Sequence, residues 1–205
     1  MLFRSLLAFR EFCFFGLIIR RSQVRTLVGP QNMEKLFVYT DGRAQTDPGE
    51  AGIGIAITDK DMNVIEEIAR LIGRTTSRIA RYRAMIEAGR AALAYSPQSV
   101  IFFSDDQHLV NHLNGVFTTR EPHLKHLLEI ARGVMDNFPQ WRVNFIDHNV
   151  NRQASHLVEQ AFHDHAQAKM GREHLELRLL ARMATLDDAH LAQLIEVAEK
   201  LERRD

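Results

Sequence analysis

Three β-prone runs, residues 36–40, 51–58 and 64–71, follow one another punctuated by Asp41-Gly42, Pro48-Gly49 and Asp61-Met62-Asn63, and this stretch constrains the fold more than any other. Connections so short join antiparallel neighbours, because a parallel return needs a crossover of about a dozen residues or more. The pattern then changes period. Ile79, Tyr82, Ile86 and Leu93 share one face of a predicted helix over 76–95, which stops before Pro97. An apolar strand over 100–103 comes next, then a short helix over 107–113 stopped by Asn114-Gly115 and a longer one over 124–137 stopped before Pro139. A fifth strand over 141–146 and a closing helix over 154–168 complete the alternation. The order predicts an α/β sheet of mixed direction, with no internal repeat.

Residues 33–168 hold this pattern, and both flanks differ from it. Residues 169–205 read as a helical extension, in which Thr185 and Asp188 make a capping-box-like start and Leu191, Leu194, Ile195, Ala198 and Leu201 fall on one stripe. Such a stripe packs on its own domain or makes a homodimer contact, and the dimer is the sharper expectation because appended helices need cover. Residues 1–32 set Arg4, Arg10, Arg20, Arg21 and Arg25 against Glu11 around an apolar run over 12–19. That run is far short of the roughly 20 residues a spanning helix needs, so no membrane partner is expected. Two readings of this leader stand: an organelle-targeting segment, or translated sequence upstream of a start at Met33 in a cytoplasmic protein. Cys13 is the only cysteine, which excludes disulfides, zinc–cysteine clusters and a thiol nucleophile in the body. Lys plus Arg and Asp plus Glu balance at 26 each, so nucleic acid needs a local patch rather than an overall field.

Chemistry is sought first at strand ends. Asp41 follows Phe37-Val38-Tyr39-Thr40 and Asp105 follows Ile101-Phe102-Phe103-Ser104, and in an α/β sheet the ligand crevice lies outside the ends of adjacent strands. Two such carboxylates could share an ion. Asp41-Gly42, Asp47-Pro48-Gly49 and Ala51-Gly52-Ile53-Gly54, in that order and spacing, resemble the first hairpin of type 1 ribonuclease H. Thr76-Ser77-Arg78-Ile79-Ala80-Arg81-Tyr82-Arg83-Ala84 is similar to the start of that family's first helix. Ser104-Asp105-Asp106-Gln107 and Asn151-Arg152-Gln153-Ala154-Ser155-His156-Leu157 resemble its second aspartate turn and closing helix. The resemblance runs from Lys35 to Ala168. It implies a ribonuclease H-like fold, with antiparallel strands one to three followed by parallel strands four and five, and a variant without an extended basic handle.

The family's site residues carry over in part. The resemblance implies four carboxylates around Mg²⁺; Asp41 and Asp105 match two, while Arg81 stands at the catalytic Glu and Ser155 at the last Asp. The implied site then falls from four negative charges to a net of one. Two divalent ions at close range are tolerated only because carboxylates neutralise them, and a guanidinium, which does not deprotonate, would compete for the aspartates. A single Mg²⁺ on Asp41 and Asp105 stays compatible with the residues. Asp106 stands at a family Ser and favours the helix dipole, and Glu87 points away from the Arg81 face. The paired Asn that grip the sugar–phosphate backbone are here Ser77 and Arg78.

Six arginines between Arg70 and Arg90 (Arg70, Arg74, Arg78, Arg81, Arg83, Arg90) stand against the one acid Glu87, a charge balance that suits phosphate contacts or a solvated face equally. Arg43, Arg74, Ser77, Arg78 and Arg83 are the expected nucleic-acid contacts, with RNA–DNA hybrid or structured RNA as ligand. His108 with His112, and His163 with His165, lack the spacing and partners of a zinc site; His148 lies near a loop where the family carries a proton-shuttling His. Three readings follow: a nucleic-acid-binding relative with a degraded two-metal site, a Mg²⁺-dependent hybrid endoribonuclease with an unusual site, or a scaffold acting through its C-terminal helices.

Overall fold

The structure is a computed structural model and describes residues 33–202; the leader and Cys13 lie outside the described residues. Strands β1 (Lys35–Ala44), β2 (Gly49–Thr58) and β3 (Val64–Thr75) are followed by helix α1 (Ser77–Leu93), β4 (Ser99–Ser104), α2 (Gln107–Leu113), α3 (Pro122–Met135), β5 (Gln140–Phe145), α4 (Arg152–Met183) and α5 (Asp188–Glu202). The sheet order is β3-β2-β1-β4-β5, antiparallel from β3 to β1 and parallel from β1 to β5. This is the mixed sheet of the ribonuclease H-like fold.

The central strands read out the pleat. Along β2, Ile53, Ile55 and Ile57 enter the core shared with Tyr82, Met85 and Ala88 of α1 and Leu124, Leu128 and Met135 of α3. The alternate residues Gly52 and Gly54 turn to the other face, where α4 lies. A Cβ on Gly54 would fall 2.0 Å from the Ala154 carbonyl oxygen, so α4 sits at a distance only glycine permits. Gly42 does the same for α1: a Cβ there would meet the Arg81 backbone nitrogen at 2.7 Å. Both close approaches draw helix segments against the middle of β1 and β2.

Element bounds differ from expectation where pairing extends a strand. β1 continues past Asp41-Gly42 to Ala44 because β2 keeps supplying partners, Asp41 against Gly54 and Ala44 against Ala51. β3 likewise continues to Thr75, through a register shift beside Ile72 and Gly73, whose φ of +82° suits glycine. The closing helix expected over 154–168 begins at Arg152 and runs to Met183, through position 169 where the sequence pattern starts the extension. Its burial stops at Ala161, so the apolar pattern marked the packed part of the helix rather than its length. Lys, Arg, Glu, Leu and Ala keep the rest helical despite Gly171. The cap of α5 also differs: the Asp187 carboxylate accepts the His190 N–H at 2.9 Å, while the Thr185 hydroxyl donates back to the Arg182 carbonyl. Among the described residues no helix is long and apolar enough to cross a membrane.

Candidate active site

The β1–β4 ladder ends at the pair Thr40 and Ser104, and the next residue on each strand is an aspartate. Asp41 is 4 % exposed and accepts the Gly42 N–H at 2.7 Å. Asp105 turns one carboxylate oxygen, Oδ2, to His148 Nδ1 at 2.6 Å, and its Oδ1 is buried without a protein partner. The Asp105 hydrogen bond and charge, with a further contribution from Asp41, hold the His148 imidazole above its usual pKa. The strand ends are themselves fixed. Thr40 Oγ1 donates to the Phe103 carbonyl, Ser104 Oγ accepts the Asp106 N–H, and the buried Asn151 amide donates to the Thr40 carbonyl at 3.0 Å.

Arg81 does not ion-pair with either aspartate. Gly42 brings the first turns of α1 against β1, yet Arg81 Nη1 reaches Asp106 Oδ2 at 3.3 Å. Asp106 is the N-cap of α2 rather than its first helical residue: its Oδ1 accepts from His108 N–H and Leu109 N–H. One carboxylate therefore serves both the helix start and the guanidinium. With Asp106 counted, the charges of Asp41, Asp105, Asp106 and Arg81 sum to −2, one more negative than the family positions alone imply. Beneath the pair, the Tyr82 hydroxyl bonds His112 Nδ1. Burial, with the Asp106 charge, pushes the Tyr82 hydroxyl up to about 12, and burial pushes His112 down. Arg132 Nη2 donates to the His112 carbonyl at 2.9 Å, so α1, α2 and α3 are tied together under the site.

Ser155 occupies the first turn of α4, buried, its hydroxyl without a protein partner. Among the described residues the buried side-chain polar atoms lacking a partner are Arg81 Nε, Asp105 Oδ1, Asn151 Oδ1 and Ser155 Oγ. All four belong to the residues that frame this cleft. A buried polar group is normally paired, so their grouping marks where water or ligand completes the structure.

The arginines divide between two faces. Arg78 pairs with Glu121 at 2.8 Å on the same side as Arg81, whereas Arg70 and Arg90 both pair with Glu87, and Arg83 donates to the Ile72 carbonyl, on the β3 side of α1. Arg74 stands across from Glu50 in the β2–β3 ladder, and Arg43 pairs with Glu159 at 3.3 Å. The Ser77 hydroxyl accepts the Ala44 N–H, and the Ser77 N–H donates to Asp47. Asp41 and Asp105 leave adjacent strands, the Arg81 backbone packs on Gly42, and Ser155 follows Ala154, whose carbonyl lies against Gly54 opposite Asp41; Ser77 and Arg43 stand at the end of β1, and Arg83 turns away to Ile72. The expected histidine roles are local: His112 is bound to Tyr82, His163 to Gln167, and His165 to Glu50. Among the described residues no group of three His, Cys, Asp or Glu side chains is placed to hold a metal. The contact of His148 with Asp105, and the tether of Asn151 to β1, were not read from the sequence; for Asn151 the signal was its place at the head of the Asn-Arg-Gln-Ala-Ser motif.

Residues 39–161 match the family described as reverse transcriptase-like. The chain is 27% identical over 143 residues to ribonuclease HI of Halobacterium salinarum, covering 70% of this chain and 72% of that one. It is 25% identical over 135 residues to a bifunctional protein of Mycobacterium tuberculosis, covering 65% of this chain but only 37% of that protein. Among solved structures, a ribonuclease H1 isolated from compost by a metagenomic approach is 32% identical with a TM-score of 0.62, covering 65% of this chain and 99% of that chain. The same compost enzyme, solved in complex with an RNA/DNA hybrid, is similar at 30% identity with a TM-score of 0.61, over 64% of this chain and 99% of that chain.

Proposed function

The chain belongs to the reverse transcriptase-like family, and from that premise we propose that it binds nucleic acid in a ribonuclease H-like cleft where hydrolysis is weak or absent. One observation carries the proposal: at the position of the family's catalytic Glu stands Arg81, ion-paired to Asp106, and at that of its last Asp stands the uncharged Ser155. The donors fit one Mg²⁺ and not two. Asp41 and Asp105 follow adjacent strand positions, Asp105 Oδ1 is buried without a protein partner, and Mg²⁺ commonly uses one or two carboxylates and keeps its waters. A second ion would need the acids that are missing. Asp41 and Asp105 would hold the ion, which when bound supplies Lewis acidity and a more acidic water. His148 Nδ1, 2.6 Å from Asp105 Oδ2, is placed to take up or release a proton there.

An RNA–DNA hybrid is the proposed ligand, because the compost enzyme was solved with one. Arg43, Ser77 and Arg78, with Arg74 at the end of β3, are the proposed phosphate contacts, which confer affinity independent of sequence and weakened by salt; Arg83, turned to the Ile72 carbonyl on the β3 side of α1, is not among them. The Arg43–Glu159 and Arg78–Glu121 ion pairs are exposed and exchange readily for phosphate.

A second reading has its own observation. Because Arg81 is held by Asp106, the guanidinium does not occupy Asp41 and Asp105, and a one-ion hybrid endoribonuclease remains chemically open. Incubating the chain with a labelled hybrid and Mg²⁺ or Mn²⁺ separates the two. We expect salt-sensitive binding, little or no cutting, and gain of cutting in the double variant Arg81→Glu, Ser155→Asp. Cutting by the unmodified chain that disappears in Asp41→Asn overturns the first reading in favour of the second. Absence of binding to hybrid, duplex and single strand alike sinks both and leaves the scaffold reading.

A further inference from the structure

The outer part of α4 and the middle of α5 carry apolar side chains that the other described residues do not cover. Met170, Leu175, Leu177, Leu179 and Leu180 on α4, and Leu194, Ile195 and Val197 on α5, are between 42 and 69 % exposed. On α4, Met170, Leu177 and Leu180 share one side of the helix, as Leu194, Ile195 and Val197 do on α5, and an exposed apolar stripe of this kind marks an interaction surface. The match to the family ends at residue 161, so this surface belongs to the extension.

Two features of the same segment identify its occupant. The first is charge. Residues 169–183 hold Lys169, Arg172, Arg178 and Arg182 against Glu173 and Glu176, a net of +2, whereas residues 187–200 hold Asp187, Asp188, Glu196 and Glu199 against Lys200, a net of −3. The second is length. α5 has 15 residues, about 22 Å at roughly 1.5 Å per residue, and the part of α4 beyond position 168 is equally long. A basic apolar helix and an acidic apolar helix of matched length are complementary to each other. A two-fold arrangement satisfies both at once, because the contact of one chain's α4 with the other's α5 is then made twice.

We propose that a second copy of this chain covers this surface, the outer part of α4 in each copy lying along α5 of its partner in a four-helix arrangement. The association is independent of the nucleic-acid reading. It sets two clefts on one particle, so a hybrid long enough to reach both gains avidity without new contacts.

Molar mass by light scattering and sedimentation on the nucleic-acid-free full chain tests this. An acidic-α4 variant (Lys169→Glu, Arg172→Glu, Arg178→Glu, Arg182→Glu) and a basic-α5 variant (Glu196→Lys, Glu199→Lys) use good helix formers throughout, and circular dichroism checks that they stay folded. The wild type is expected to be dimeric at micromolar concentration. The acidic-α4 variant is expected to lose affinity for itself by at least about a hundredfold, through like charges facing each other, and the basic-α5 variant by less. An equimolar mixture of the two is expected to restore the dimer mass. A monomeric wild type, a dimer indifferent to the charge changes, or a mixture that fails to reassociate overturns the proposal. The apolar pair Leu177→Gln, Ile195→Gln gives a second reading of the same surface: a dimer that survives it also overturns the proposal.

Discussion

At its N-terminal end α4 lies so close on β2 that an added Cβ at Gly54 would fall 2.0 Å from the Ala154 carbonyl oxygen, whereas at its C-terminal end Leu175, Leu177, Leu179 and Leu180 are each more than half exposed. One helix passes through two environments. In the first, Ala154, Ser155, Leu157, Val158 and Ala161 are buried and Asn151 is bonded to β1, so helix position and site geometry are the same quantity. In the second, the backbone hydrogen bonds and intrinsic helix propensity hold the shape, and within one chain little tertiary packing adds to them. Sensitivity to mutation should therefore fall steeply along α4, and with distance from the cleft generally.

The largest effect is expected at the tight end. Gly54→Ala forces a Cβ into the α4 backbone and should cost about 3 kcal/mol or more, read by urea denaturation; a cost below about 1 kcal/mol would mean that α4 shifts freely on the sheet. Asp106→Ala removes the α2 cap and leaves Arg81 without its acid, so about 2 kcal/mol is expected by the same measurement. Tyr82→Phe leaves the buried His112 Nδ1 unpaired and should cost about 1 kcal/mol, together with a rise in His112 solvent exchange followed by NMR.

Smaller again is the pH effect of His148. Its folded pKa lies above its unfolded value because of Asp105, so its contribution is fully present below about pH 6.5 and is lost as pH rises through the raised folded value. The stability gap between wild type and His148→Gln should close as pH is raised, and a gap that widens instead would place the histidine away from Asp105. Least of all, Leu179→Ala in dilute, monomeric protein should change stability by under about 0.5 kcal/mol.

Element types were legible where local chemistry decides them. The short turns at Pro48-Gly49 and Asp61-Met62-Asn63 forced antiparallel neighbours, and the α2 bounds, 107–113, agree with the structure because Asp106 and Asn114-Gly115 punctuate both ends. Strand lengths were less so, since β1 runs to Ala44 only because β2 offers partners opposite it. The true end of α4 escaped a reading based on apolar spacing, which reports burial and not helicity. At the site, Asp41 and Asp105 were visible as strand-end acids, and the family motifs supplied the positions of Arg81 and Ser155. The pairing of Arg81 with Asp106 was not visible, because it joins residues 25 apart in sequence through rotamers that only the packed helices select.

Because α4 is a single rod of 32 residues, about 48 Å from end to end, its two termini cannot reorient independently. Ser155 sits in its opening turn, so the same backbone ladder that positions Ser155 runs on to any neighbour bound near Met183, weakened only at Gly171.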